Sequence, residues 1–278
     1  MALLRRLGAC LSLLLMVSAS GLWAAGPDAS DAADLARLLQ VDALAEALHH
    51  EGVDHGTALD QDMLDGRGGA HWARKVAGIY GADRITTAIR RALAERLAPV
   101  DVAACAAFFD GPLGQKILSL EIAARVAMRD DAIEAAARDV YDTLKGGDDP
   151  RLAAVMRFAD VNDLIERNVA GALSSSFQFQ RGLAEGGVLD LDEAGLIAEV
   201  WSQEAETRQE TETWLYGYLL RAYQPLSLPE MERYIGFSQG PAGQALNAAL
   251  FDGFDGLYRQ ISHELGLEIA KAMMASDI

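Results

Sequence analysis

Few side chains in this 278-residue chain are grouped as reactive chemistry would need. His49-His50-Glu51-Gly52-Val53-Asp54-His55, with His71 further on, is the one cluster rich in metal-ligand residues. Adjacent histidines on a helix point about 100° apart, so His49 and His50 cannot both face one ion without distortion. The spacing also departs from the histidine pair at i, i+4 that helical zinc sites use. The run reads as solvent-facing, and no metal is assigned. Cys105 lies in the Ala-rich run Val102 to Phe108 with no histidine nearby in sequence to activate it, so it reads as a packed thiol and not a nucleophile. The acid pairs Asp130-Asp131 and Asp148-Asp149 read as charged turns and helix starts. A Gly-x-Ser-x-Gly elbow, a phosphate-binding glycine loop and a His-Glu-x-x-His run are all missing from the sequence. Hydrolase, nucleotide and metalloprotease chemistry thus lack their usual footholds, and no catalytic residue or cofactor is assigned.

The elements that would position these groups are helices. Apolar residues recur at three and four spacing nearly everywhere past residue 30, as in Leu35, Leu38, Leu39, Leu44 and Leu48, and again in Val155, Phe158, Val161, Leu164 and Ile165. Period-two alternation is almost absent, so the fold class is all-α, as two tandem helical repeats that each form a small bundle.

The repeat rests on one passage that occurs twice. Phe108-Phe109-Asp110-Gly111-Pro112-Leu113-Gly114-Gln115 returns as Phe237-Ser238-Gln239-Gly240-Pro241-Ala242-Gly243-Gln244. Proline lacks an N–H and clashes with a preceding helical turn, yet suits the first turn of a new helix, so the passage reads as a helix-to-helix corner. Gly114 and Gly243 would permit close packing, and Gln115 and Gln244 would reach back to N–H groups freed at the corner. Ser227 and Glu230 form a capping box before the second corner, whereas Ala98 lacks the hydroxyl before the first. Val41 aligns on Val161 and Leu44 on Leu164, 120 residues apart, while Trp72 aligns on Trp201 and Pro112 on Pro241, 129 apart. A nine-residue insertion in the Gly-rich stretch Arg181 to Asp190 would reconcile the two registers, with each copy folding as its own unit. The expected organisation is a leader at 1–25, a first repeat at 26–145, a linker at Lys145 to Pro150 and a second repeat at 151–278.

Beyond the corners the copies diverge. The second carries Leu250, Phe251, Phe254, Leu257, Tyr258, Ile261 and Leu265, where the first has the smaller and more polar Ile117, Leu120, Glu121, Ala124 and Met128. Phe251, Phe254 and Tyr258 could line a groove for an apolar ligand or a partner helix. Trp214, Tyr216, Tyr218 and Tyr223 place any such groove in the second half.

Arg5 and Arg6, an apolar run from Leu11 to Val17, and small residues ending at Ala24 or Ala25 have the form of a cleaved secretory signal, which implies a periplasmic or secreted protein. No segment of the mature chain approaches the roughly 20 apolar residues of a membrane span. The whole chain has 24 basic and 41 acidic residues and a formal charge of −17; losing both leader arginines leaves 22 against 41, or −19. That charge repels phosphate backbones and disfavours nucleic acid as a partner. Cys10 leaves with the leader, so Cys105 has no intramolecular partner.

The paired pattern of a proline-and-acid helix start, then an aromatic, then Gly-Pro-x-Gly-Gln at Gly111 to Gln115 and Gly240 to Gln244 resembles the DUF2059 family, an uncharacterised group of exported bacterial domains. The resemblance covers about residues 34 to 130 and 152 to 272. It implies an all-α exported domain and supplies no activity or catalytic residue. The expectation is an exported, non-catalytic module that binds an unknown protein or an apolar ligand. The alternatives are an enzyme acting on envelope material through groups such as His71, Asp190 and Asp192, and a structural or oligomeric spacer.

Overall fold

A computed structural model of the chain describes residues 29–276; the expected leader lies outside the described residues. Those residues form helices and turns, with no strand among them. No helix among them is long and apolar enough to cross a membrane.

Helix α1 (Ala29–Leu38) runs into α2 (Val41–Leu64) through Gln40, whose φ is 55°. Helix α8 (Pro150–Val161) runs into α9 (Leu164–Glu185) through Asp163, at φ 48°. Non-glycine residues seldom enter this left-handed region; among the described residues Gln40, Asp163 and Asp65 do, and the first two lie at like helix-to-helix turns 123 residues apart. The turns thus favour a register of 123 over the expected 120, with Val41 and Leu164, and not Val161, each opening a helix after its turn.

The first half continues as α3 (Gly69–Ile79), α4 (Ala82–Arg96), α5 (Pro99–Phe109), α6 (Pro112–Ala127) and α7 (Asp131–Leu144). The second continues as α10 (Glu193–Trp201), α11 (Glu204–Tyr223), α12 (Leu228–Gln239) and α13 (Pro241–Ser276). The step from 123 to 129 does not arise at Arg181 to Asp190. Helices α4 and α11 begin 122 residues apart, and the offset then grows by seven, because α11 has 20 residues against 15 in α4 and the turn after it, 224–227, is two residues longer than 97–98. Trp72 and Trp201 do not correspond either. Trp72 is buried and its Nε1 donates to Gly56 O at 2.8 Å, whereas Trp201 ends α10 at 64 % exposure.

Local chemistry sets the boundaries. Asp130 caps α7 by accepting from Ala132 N at 2.9 Å, and Asp149 caps α8 by accepting from Arg151 N and Leu152 N at 2.9 and 2.8 Å. Ser227 and Glu230 form the reciprocal capping box of α12, while Ala98 offers α5 no side-chain cap.

The halves do not close separate cores. Helix α4 of the first packs against α13 of the second, and α6 and α7 of the first pack against α11 of the second. One apolar cluster runs through both, from Leu35 to Ala270. Helix α7 seats its buried Ala137 against the backbone of α11, where a Cβ on Gly217 would lie 3.0 Å from the Ala137 carbonyl. Helices α9 and α13 cross still closer. A Cβ on Gly182 would lie 2.4 Å from His263 O, and one on Gly266 would lie 2.1 Å from Phe179 O. Gly182 is therefore a helix-crossing residue inside α9, not part of a loop.

Candidate functional site

The two corners share one geometry. Gly111 and Gly240 both have φ −74° and ψ 159°, the extended conformation favoured before proline. Pro112 and Pro241 then open α6 and α13. Gly114 and Gly243 lie where a Cβ would come within 2.5 Å of Phe108 O and 2.3 Å of Phe237 O, so neither tolerates a side chain without movement.

The glutamines do not accept from freed N–H groups; they donate. Gln115 Nε2 donates to Leu38 O at 2.9 Å and Phe109 O at 2.7 Å, and Gln244 Nε2 to Val161 O at 3.2 Å and Ser238 O at 2.6 Å. Each thereby ties the end of the half's first helix to the end of the helix before its corner. Helix C-termini leave carbonyls without intrahelical partners, and an amide NH2 has two donors to offer them. The corners also meet each other, with the Phe108 and Phe237 rings stacked at 4.1 Å between centroids.

The residues first considered for chemistry are dispersed. His50 and His71 are exposed. His49 and His55, expected to face solvent, turn instead toward α3. His49 Nδ1 lies 2.9 Å from Tyr80 O, and His55 is buried with its ring edge-on to Tyr80. No three residues of metal-ligand type converge among the described residues. Cys105 is buried with Sγ 3.5 Å from Ala242 O, and burial pushes its thiol up to about 12. Asp190 is exposed, and Asp192 caps α10 by accepting from Gly195 N at 2.8 Å.

A cleft of about 100 Å³ lies at the seam of the halves. It draws its walls from both, not from the second alone. Leu39, Val41, Leu44 and Leu48 supply one side; Leu118, Glu121, Ile122 and Arg125 come from α6. Phe251, Phe254 and Tyr258 line it from α13 with Leu250 and Asp255, and Arg167 and Tyr218 complete it. Several lining residues share the spacing of the corner passages or of the two left-handed turns: Glu121 and Leu250, Ile122 and Phe251, Arg125 and Phe254 are each 129 residues apart, and Leu44 and Arg167 are 123 apart. Each half supplies one arginine and one acid to an otherwise largely apolar lining.

The polar groups on the first-half side are Glu121 and Arg125. Glu121 Oε1 accepts from Tyr223 OH at 2.6 Å and from Tyr234 OH at 3.2 Å, and Tyr218 OH donates to the Glu121 carbonyl at 3.1 Å. Burial pushes the Glu121 carboxyl up to about 7, against the opposing pull of the tyrosine hydroxyls and Arg125. Arg125 Nη1 pairs with Glu51 Oε2 at 2.7 Å, and its guanidinium lies 6.0 Å from the Trp214 and Tyr218 rings. Burial raises Glu51 even beside that partner.

On the other side Arg167 Nε pairs with Asp163 Oδ2 at 3.3 Å, and its guanidinium lies over Phe251 at 4.9 Å. Arg167 Nη2 is buried and has no hydrogen-bond partner. Burial pulls its ionisation down and pushes that of Asp255 up.

Residues 83–142 match DUF2059, described as an uncharacterized protein conserved in bacteria. The DUF2059 match spans most of α4 and α7 and all of α5, the Gly111 to Gln115 corner and α6, so it includes Glu121 and Arg125. It does not reach the second corner. No curated protein and no solved structure matches the chain.

Glu121, Arg125 and Arg167 were not singled out by sequence reasoning. A signal for the first two exists: a carboxylate inside the apolar stripe of Ile117, Leu120 and Ala124, with an arginine four residues on. A polar pair in a core-facing stripe marks either a buried network or a site.

Proposed function

We propose that the chain is an exported, non-catalytic helical protein built from two copies of one unit, which binds an apolar ligand in the cleft at their seam. The observation that carries this reading is the lining: hydrocarbon and aromatic side chains dominate it, and its few polar groups are concentrated at Glu121, Arg125, Arg167 and Asp255. Such a composition suits an apolar body held in place by a few polar contacts. The −19 charge expected of the mature chain and the leader-like residues 1–25 support export as a soluble protein.

The test uses the neutral dye N-phenyl-1-naphthylamine, which fluoresces in apolar surroundings. Saturable, stoichiometric enhancement with the folded protein, lost in Phe254→Asp while the helical circular dichroism is retained, is the expected result. Absence of saturable enhancement with the wild type would remove the reading.

An enzyme is the second reading, and one observation favours it: Glu121, pushed up to about 7, lies beside Arg125 in the same cleft. Its carboxyl oxygen is, however, engaged by Tyr223 and Tyr234, the geometry of a held structural acid. Turnover of an envelope substrate that Glu121→Gln abolishes without loss of folding would establish the enzyme.

A further inference from the structure

We infer that the ligand of this cleft is a cationic amphiphile, an ammonium head on a hydrocarbon body, whose head is received by the carboxyls of Glu121 and Asp255. The inference rests on the apolar-ligand reading above and adds the head group to it. The charges of the lining decide the sign of that head. Both arginines are already paired, Arg125 with Glu51 at 2.7 Å and Arg167 with Asp163 at 3.3 Å. Asp252, three residues before Asp255, is likewise paired with Arg96 at 2.9 Å. Glu121 is held by tyrosine hydroxyls, both on Oε1; its Oε2 accepts from no described residue and is not sealed from solvent. Asp255 is half-buried, and its carboxyl makes no ion pair or hydrogen bond among the described residues. The neighbouring Arg259 donates through Nε to the Asp255 backbone carbonyl instead, at 3.2 Å.

With those pairs matched off, the charges left facing the cleft are the two carboxyls. Burial without a cation of their own raises both, which marks acids short of positive charge. An ammonium head supplies that charge, and charge-assisted contacts to a carboxylate are the stronger kind. A second feature of the lining favours the same head. The rings of Tyr218, Phe254 and Tyr258 lie in the same wall, and aromatic faces attract quaternary ammonium groups. Leu44 and Leu250 give the hydrocarbon body its apolar wall. The chain as a whole, at a formal charge of −17, also draws cations toward its surface.

The experiment is displacement of bound N-phenyl-1-naphthylamine at pH 8 by three probes of one chain length, each below its aggregation concentration: decyltrimethylammonium, decan-1-ol and decanoate. The cation should bind about tenfold more tightly than the alcohol, and decanoate most weakly. Asp255→Asn and Glu121→Gln should each weaken the cation by about threefold or more and leave the alcohol within about twofold. Asp190→Asn, which removes an exposed charge outside the lining, should leave the cation unchanged. Equal displacement by the three probes, or decanoate as the tightest, would overturn the head-group inference and leave the apolar cleft standing. So would an Asp190→Asn effect as large as that of Asp255→Asn, since the preference would then belong to the net charge. A wild-type protein that never binds the dye saturably would remove the cleft reading as well. Should Glu121→Gln fail to fold, Asp255→Asn decides, because its carboxyl holds no other group in place.

Discussion

Phe108 and Phe237 lie face to face, ring centroids 4.1 Å apart and planes 13° apart. They are the same position in the two corner passages, 129 residues apart, so the element that repeats in the sequence is also where the halves touch. Phe109 and Tyr234 extend this contact, edge-on to Phe237 and stacked on Phe108 respectively. One core running through both halves should unfold in a single cooperative step. Phe108→Ala and Phe237→Ala should each cost about 2–3 kcal/mol, with a coupling of about 1 kcal/mol in the double mutant. Urea unfolding followed by circular dichroism and by fluorescence measures both; two separated transitions would contradict the shared core.

Gln115 and Gln244 hold two backbone carbonyls each through one amide nitrogen. Replacing either by alanine should cost about 2 kcal/mol, because buried carbonyls lose their donor. Replacing either by glutamate should cost more than alanine, since a carboxylate offers no donor and adds like charge against the carbonyl oxygens. Thermal melts of the four variants would show the order, and a glutamate variant as stable as wild type would contradict it.

Burial holds the Glu121 carboxyl at about 7, above its ordinary 4.5. The folded state therefore keeps a proton that the unfolded chain releases. This stabilisation is complete below about pH 4.5 and is lost as pH rises through 7, a change of about 3 kcal/mol. Glu51, raised by burial beside Arg125, works in the same direction. Glu121→Gln keeps acceptors for Tyr223 and Tyr234 while removing the titration. Its stability should vary less between pH 4.5 and 7.5 than that of wild type, as measured by urea midpoints across that range.

Helix α5 begins at Ala98 without a side-chain cap, where α12 has the full box at Ser227 and Glu230. Ala98→Ser should stabilise by about 0.5–1 kcal/mol, and Ser227→Ala should destabilise by about 1 kcal/mol. Shifts of opposite sign in the melting temperature would confirm the asymmetry.

What was legible in the sequence was what acts locally. Gly-Pro reads as a corner because proline constrains its own and the preceding residue, and the stripe of Phe251, Phe254 and Tyr258 reads as one helix face. The other wall was not legible, because the approach of Glu121 to Tyr223 and Tyr234 depends on the helices exchanged between halves. Composition also misled. Arg181 to Asp190 has the glycines of a loop, yet Gly182 is there because the α13 backbone leaves no room for a Cβ. The buried His55 faces α3 for a comparable reason: the α2 surface that meets α3 cannot be told from its solvent side by a run of polar residues alone.

Photolabelling places the ligand most directly. A hexadecan-1-ol carrying a diazirine near mid-chain, irradiated with the protein and mapped by peptide mass spectrometry, should mark α6 and α13 around Ile122, Leu250 and Phe254, with N-phenyl-1-naphthylamine suppressing the marks. Labelling confined to the exposed apolar surface of α10 at Ile197 and Trp201, or labelling that N-phenyl-1-naphthylamine does not suppress, would contradict binding in the cleft.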